Sequence, residues 1–316
     1  MRVVIIHAVW GYSIMRRLVF ALLLAVITLT AAAPTAAQGR WDGKSRFTIL
    51  VMGMDRRPGA RDTLNTRTDA MLIVSVDPAT NKIGVLHVPR DLHLAALDSD
   101  SLIRANTLMI RGEAIQEGYG PFYAMDTLGY NLGIFIDGFI AFDFEAFITL
   151  VDALGGVEVT INYAISDPTY PDMNYGIDPF YLSSGTHLLD GRTALKFART
   201  RHGDNDYLRG ERQMQIFKAL GLKATDGSVL PGLLQQAPQL MESLEGHVYT
   251  DLTVDELAPL ALFAAFVPVE YVVTGSLSGR YIATVQVPGT TERVQTPNRT
   301  VLEDLMRQTF GADYAG

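Results

Sequence analysis

Between Ala198 and Gln213 the chain packs four arginines (Arg199, Arg201, Arg209, Arg212), three acids (Asp204, Asp206, Glu211) and His202 into sixteen residues. Arginine keeps its charge and presents a planar fork of donors that matches phosphate oxygens two at a time. Ahead of the cluster, Leu189–Phe197 reads as a short helix with Asp190 as its N-cap. Behind it, Leu208, Met214, Ile216, Phe217 and Leu220 recur at helical spacing, so a second helix is expected to begin near Leu208. The free N–H groups of that second helix would face the same anion. Arg209 and Gln213 share one helical face, with Arg212 beside them. A surface salt-bridge network around Asp204, Asp206 and Glu211 is the competing reading of the same residues.

Three further polar knots each lie at the end of an expected strand: Asp55-Arg56-Arg57, Arg67-Thr68-Asp69 and Arg90-Asp91. Ligand sites of open α/β sheets form in the crevice at strand ends. Asp55 closes one strand and Asp69 opens the next. If those strands are antiparallel neighbours, the two carboxylates approach each other and repel unless a cation lies between them. Oxygen-only ligation of that kind suits Mg²⁺. Alternatively, the two acids are turn residues paired with Arg56 and Arg67.

The elements that must position these groups follow an α/β pattern. Phe47–Met54 is a continuous apolar run, as in a strand covered on both faces. Ala70–Val76 and Lys82–Val88 are two more strands around the turn Asp77-Pro78-Ala79-Thr80-Asn81. Helices are expected over 106–117 and 121–132, then a strand over 137–142, a helix over 143–154 and a strand over 157–161. Residues 167–185 read as a long loop. Thr253-Val254-Asp255-Glu256 is a capping box opening an apolar helix to Phe266. Strands over 270–276 and 281–287 and a helix over 298–310 complete the count. The expected fold is therefore α/β, a mixed central sheet with helices on both faces.

The 316 residues are 48% hydrophobic and 19% charged, which describes a well-cored globular chain. A net charge of −8 and the lack of a helix-turn-helix pattern argue against nucleic-acid binding. The absence of cysteine excludes disulfides, thiol nucleophiles and Cys-ligated zinc. Arg16-Arg17, the mainly apolar Leu18–Ala33 and the small residues that follow describe a secretory signal, or an N-terminal membrane anchor near the lower length limit of roughly 17–25 residues. Either places the remainder outside the cytoplasmic membrane, secreted or anchored to its outer face. Residues 1–40 are assigned to that segment.

The chain resembles the LytR-CpsA-Psr family of bacterial cell-wall glycopolymer ligases. The resemblance is carried by Leu50–Gly59, Arg67-Thr68-Asp69, Val74–Pro78, Val88-Pro89-Arg90-Asp91, Leu150–Val159, Leu189-Asp190-Gly191, Phe197–Gly203 and Glu211-Arg212-Gln213, in that order and spacing. It places a catalytic domain over 46–235; residues 236–316 carry no motif, fit the α/β pattern and are read as a C-terminal α/β portion of the same domain. It implies an extracytoplasmic phosphotransferase that moves a glycopolymer from a polyisoprenyl-pyrophosphate carrier onto peptidoglycan through a phosphodiester. By motif position, Asp55 and Asp69 would hold Mg²⁺. Arg90, Arg199, Arg201, Arg209 and Gln213 would bind the pyrophosphate, with Asp206 and Asp91 orienting them. Asp69, Arg90, Arg199 and Arg201 form the implied catalytic set. Arg104 stands where the family commonly has a lysine near the head group, and Arg56 replaces a small polar residue.

Two other functions use the same phosphate clamp: a pyrophosphatase acting on the same lipid-linked material, and a non-catalytic binder of lipid-linked glycans. The binder would not need the metal carboxylates, and both are present. Transcriptional attenuation is disfavoured by the export signal and the acidic charge. The apolar segments Phe139–Leu154 and Leu257–Phe266 would either line a tunnel for the isoprenoid tail or form ordinary core. His202 lacks a Ser or Cys partner motif. His87, His93 and His187 show no metal-ligand spacing and read as structural or surface residues.

Overall fold

Alternate residues of the longest strands enter different cores, which explains why their sequences are apolar without a period of two. The computed structural model describes residues 41–57, 64–172, 176–200, 206–224, 229–287 and 289–315. The expected signal or anchor segment, Arg201 and His202 lie outside the described residues, as do the side chains of Asp206 and Tyr207.

Strands β1 (Phe47–Met54), β2 (Thr68–Asp77) and β3 (Lys82–His87) form an antiparallel meander. β4 (His93–Ala95) and β5 (Leu102–Arg104) pair beside it and lead into α1 (Leu108–Ile115) and α2 (Gly120–Leu132). β6 (Gly138–Phe142) returns parallel to β1 and is followed by α3 (Phe144–Ala153). Next come β7 (Val157–Ile161), β8 (Ile165–Asp167), β9 (Phe180–Leu182), β10 (Gly185–Leu189), α4 (Gly191–Arg199) and α5 (Asp206–Ala224). The chain closes with α6 (Leu230–Leu244), β11 (Val248–Thr250), α7 (Val254–Phe266), β12 (Val272–Ser276), β13 (Ile282–Gln286), β14 (Arg293–Pro297) and α8 (Leu302–Phe310).

The central sheet has six strands in the order β11-β6-β1-β2-β3-β12 and is mixed, with β1–β6 and β3–β12 parallel and the other pairs antiparallel. On one face Leu50, Met52, Met71, Ile73 and Leu86 pack with Leu108, Tyr123, Leu128 and Met306 of α1, α2 and α8. On the other, Leu72, Val74 and Val85 meet Met214 and Phe217 of α5 and Phe263 of α7. Full burial of each such side chain stabilises the fold by roughly 1.5–3 kcal/mol. Two strands from the last third of the chain, β11 and β12, form the sheet's edges.

A second core joins α3, α4, α5 and the β7–β10 ladder through Val151, Val159, Tyr170, Phe197 and Ile216. Gly191 lets α4 approach α3, since a Cβ there would lie 2.8 Å from the Ile148 Cα. Asp190 caps α4 as expected, accepting from the Thr193 N–H at 2.8 Å. The Thr253–Glu256 capping box of α7 is also formed.

Several boundaries differ from the sequence reading. The expected loop over 167–185 begins and ends in short strand, β8 pairing with β9. α5 starts at Asp206, and α8 starts at Leu302 rather than near 298. Residues 269–271 form a 3-10 turn before β12. Within the segments weighed as tunnel lining, Phe139, Val151 and Leu260 are core residues. Among the described residues, no helix is long and apolar enough to cross a membrane.

Candidate active site

The ladder between β1 and β2 sets the first two acids side by side. Met54 pairs with Thr68 across an irregularity, and the Asp55 N–H donates to the Arg67 carbonyl at 2.8 Å. Asp55 and Asp69 therefore leave the sheet at the same end, the antiparallel condition under which their approach is expected. β3 ends at the same edge. The Val88 N–H donates to the Met71 carbonyl at 3.0 Å, and Arg90 follows to form an ion pair with Asp69 Oδ2.

The third contribution comes from the α4–α5 corner. Arg199 occupies the last turn of α4, where a cation complements the helix dipole. Its guanidinium stacks 4.1 Å from the Phe144 ring centroid and donates to the Tyr170 hydroxyl at 3.1 Å. Nη2 then stands 3.6 Å from Asp55 Oδ1. Two contacts thus fix a cation that still faces the cleft. Burial raises the Tyr170 phenol above its usual range, with Arg199 opposing, so the hydroxyl keeps its proton near neutral pH.

Arg212, one residue from the expected binding face, has a structural part. It is buried, donating through Nε to the Phe197 carbonyl at 2.8 Å and through Nη2 to the Thr200 carbonyl at 2.5 Å. Those carbonyls end α4 and would otherwise lack helical donors. Thr200 is fixed from its other side, donating from Oγ1 to Asp167 Oδ2 at 2.7 Å. α5 is thereby held so that Arg209 and Gln213 face the cleft. Gln213 Nε2 lies 3.4 Å from the Asp69 carbonyl, a long contact reaching back to β2.

These groups line one cleft of about 420 Å³. Its wall carries Arg67, Arg90, Arg199 and Arg209 with Asp55, Asp69 and Asp167, together with Tyr170 and Gln213. Arg104 does not line it. That side chain is about half exposed and lies 3.7 Å from Asp91 Oδ1, whose other cationic neighbour is Arg90 Nε at 3.6 Å. The first residue of α5 is Asp206, whose side chain is outside the described set.

A hard cation suits the carboxylates. Oδ1 of Asp55 is buried without a hydrogen-bond partner, and ion ligation is one way such an oxygen is satisfied. Among the described residues no three His, Asp or Glu side chains converge on one point. A cation here would complete its shell with water or phosphate oxygens, as Mg²⁺ characteristically does.

Two contributors, Tyr170 and Phe144, were given no role in the site from the sequence, and Arg56, weighed there as a partner of the acids, pairs elsewhere. Tyr170 sits in the segment read as a loop, and its only signal was the local richness in Tyr and Asp. Phe144 read as ordinary helix. Arg56 is a buried tie, bonding the α3 N-cap Asp143 through Nε at 2.8 Å and the Tyr249 hydroxyl of β11 through Nη1 at 2.7 Å.

Fold and cleft together define an α-β-α protein whose mixed sheet ends in an arginine- and aspartate-lined pocket. Residues 28–304 match the LytR_cpsA_psr family, and the chain belongs to it. TagU of Bacillus subtilis, named a polyisoprenyl-teichoic acid–peptidoglycan teichoic acid transferase, is 26% identical over 216 residues, covering 68% of this chain and 62% of that protein. TagT of the same organism, similarly named, is 30% identical over 194 residues, covering 60% and 56%. The chain thus spans a little over half of the length of these curated relatives. The crystal structure of B. subtilis TagV shares the fold, with a TM-score of 0.64 at 24% identity over 83% of this chain and 94% of that one.

Proposed function

We propose that this chain transfers a glycopolymer from a polyisoprenyl-pyrophosphate carrier to a hydroxyl of peptidoglycan, forming a phosphodiester. The observation that carries the reading is the convergence of Arg199–Asp55 and Arg90–Asp69 in one cleft at the sheet's end. The names of the TagU and TagT relatives support the substrate class.

Phosphoryl transfer asks a protein mainly for positioning and charge stabilisation. Arg199 and Arg209 approach from the helical corner and Arg90 from β3, so a pyrophosphate between them meets cations on two sides. Tyr170 and Gln213 offer neutral donors, fixing orientation without added charge. The attacking sugar hydroxyl loses its proton to solvent as its oxygen bonds to the glycan-bearing phosphorus, the bridging P–O bond breaks, and polyprenyl phosphate leaves with the electron pair. Asp55 and Asp69 would hold Mg²⁺, which supplies further positive charge for the phosphate oxygens. Arg201 and Asp206 complete the proposed set by sequence position, and Arg104 acts one ion pair away through Asp91.

We place the cleft outside the cytoplasmic membrane, close to its surface. Support comes from the basic-then-apolar segment before residue 41 and from the location of a peptidoglycan acceptor.

The test incubates the full-length chain in detergent with a lipid-pyrophosphate-linked saccharide, Mg²⁺ and peptidoglycan fragments. Polyprenyl phosphate release and glycan-to-wall linkage are followed together. Linkage that matches release is expected. Release without linkage would favour the hydrolase, and tight binding without cleavage would favour the binding protein.

A further inference from the structure

The last turn of α4 carries two cations, Lys196 and Arg199, and one phenol lies against both. Arg199 Nη1 donates to the Tyr170 hydroxyl at 3.1 Å, and its guanidinium carbon stands 5.8 Å from the ring centroid. Lys196 Nζ is 5.8 Å from the same centroid, within cation–π range. Lys196 also forms an ion pair with Asp178 Oδ2 at 2.6 Å. Asp178 closes the loop, its N–H donating to the Tyr170 carbonyl at 2.8 Å. Tyr170 is thus tied to α4 twice, at its hydroxyl by Arg199 and through its backbone by Asp178 and Lys196. Because the hydroxyl accepts from Arg199, its own hydrogen is left for an acceptor in the cleft that Tyr170 lines. Lys196 does not line that cleft.

We propose that Lys196 is a positioning residue: paired with Asp178 and set against the Tyr170 ring, it holds the phenol where the hydroxyl meets both Arg199 and the pyrophosphate. The inference rests on the phosphotransferase reading and adds to it a cation that touches no substrate. A donor misplaced by about 1 Å can lose up to about 10²-fold in rate. The side chains of Lys196 and Asp178 are 22% and 50% exposed, so their ion pair adds little to global stability. A positioning role therefore moves the rate and leaves the thermal midpoint almost unchanged. Methionine at position 196 keeps the apolar stem and removes both the ion pair and the cation over the ring. Arginine restores them.

The experiment compares wild type, Lys196→Met, Lys196→Arg, Tyr170→Phe and the Lys196→Met/Tyr170→Phe pair, all full length, with Arg199→Ala as the control on the underlying reading. Readouts are kcat/KM for the lipid donor and the thermal midpoint. Lys196→Met is expected to lower kcat/KM about tenfold, the effect of one well-placed hydrogen bond, with the midpoint within about 2 °C of wild type. Lys196→Arg should recover most of that loss. The double variant should be no worse than Tyr170→Phe alone, because the lysine acts through that hydroxyl. Multiplied losses in the double variant would show a cation acting directly on the anion and would overturn the proposal. Wild-type kcat/KM in Lys196→Met or in Tyr170→Phe would overturn it as well, and with Arg199→Ala impaired the phosphotransferase reading would still stand. If Arg199→Ala transfers like wild type, that reading falls, and the role of Lys196 falls with it.

Discussion

Arg199 Nη2 stands 3.6 Å from Asp55 Oδ1, joining the end of α4 to the exit of β1 across the mouth of the cleft. The two residues are far apart in sequence, and each is fixed by other means: Asp55 through its backbone bond to Arg67, Arg199 by Phe144 and Tyr170. The pair is therefore a preset contact between a cation and a carboxylate in the wall of the cleft.

Arg199→Ala is expected to reduce turnover of the lipid donor about 10²–10³-fold, the usual cost of removing one preorganised charge-stabilising donor. Arg199→Lys should recover little, since a lysine cannot stack on Phe144 while donating to Tyr170 and facing Asp55 from two separate nitrogens. Single-turnover release of polyprenyl phosphate is the measurement. Recovery by lysine would mean that only net charge matters.

Arg212→Met is expected to destabilise the fold by about 2–4 kcal/mol, because two buried carbonyls at the end of α4 lose their donor. Urea denaturation with an unchanged m-value would register it. A shift below about 0.5 kcal/mol would mark Arg212 as a surface residue, contrary to its burial.

Gly210→Ala should be destabilising by about 1–3 kcal/mol through overpacking against His87. Pairing it with His87→Ala should relieve most of that cost in a double-mutant cycle. Additive effects would show that the two do not touch.

The buried imidazole also gives a pH signature. Burial, aided by the nearby Arg209 charge, lowers the His87 pKa from the usual 6.5 to about 4. As pH falls below 6.5 the unfolded chain takes up this proton first, so stability drops until about pH 4, where the native ring titrates as well. Relative to His87→Gln, wild type should lose about 3 kcal/mol across that window. Parallel pH curves for the two proteins would show a ring already charged in the fold.

Much of the scaffold was legible because its signals are local. The unbroken apolar run of β1 marked a strand covered on both faces, and Asp190 and the Thr253–Glu256 pair marked helix starts. The site was legible as far as strand ends and one helical corner could place it. What escaped depends on distant partners. Three-residue strands such as β4, β8 and β11 carry too few side chains for a period. Arg212 and Arg209 have the same charge in the sequence, yet one ties backbone carbonyls and the other lines the cleft. His87 lacked any motif, and only the close approach of Gly210 shows how tightly α5 covers it.

The most direct measurement is calorimetric binding of a short-chain prenyl pyrophosphate to the full-length chain, with and without Mg²⁺, for wild type, Arg199→Ala and Asp55→Asn. The account predicts that wild type binds at least about tenfold tighter with Mg²⁺ than without it. Asp55→Asn should lose that enhancement, and Arg199→Ala should weaken binding under both conditions. Equal affinity across all three proteins, with no effect of the cation, would contradict a cleft built to hold a pyrophosphate between arginines and carboxylates.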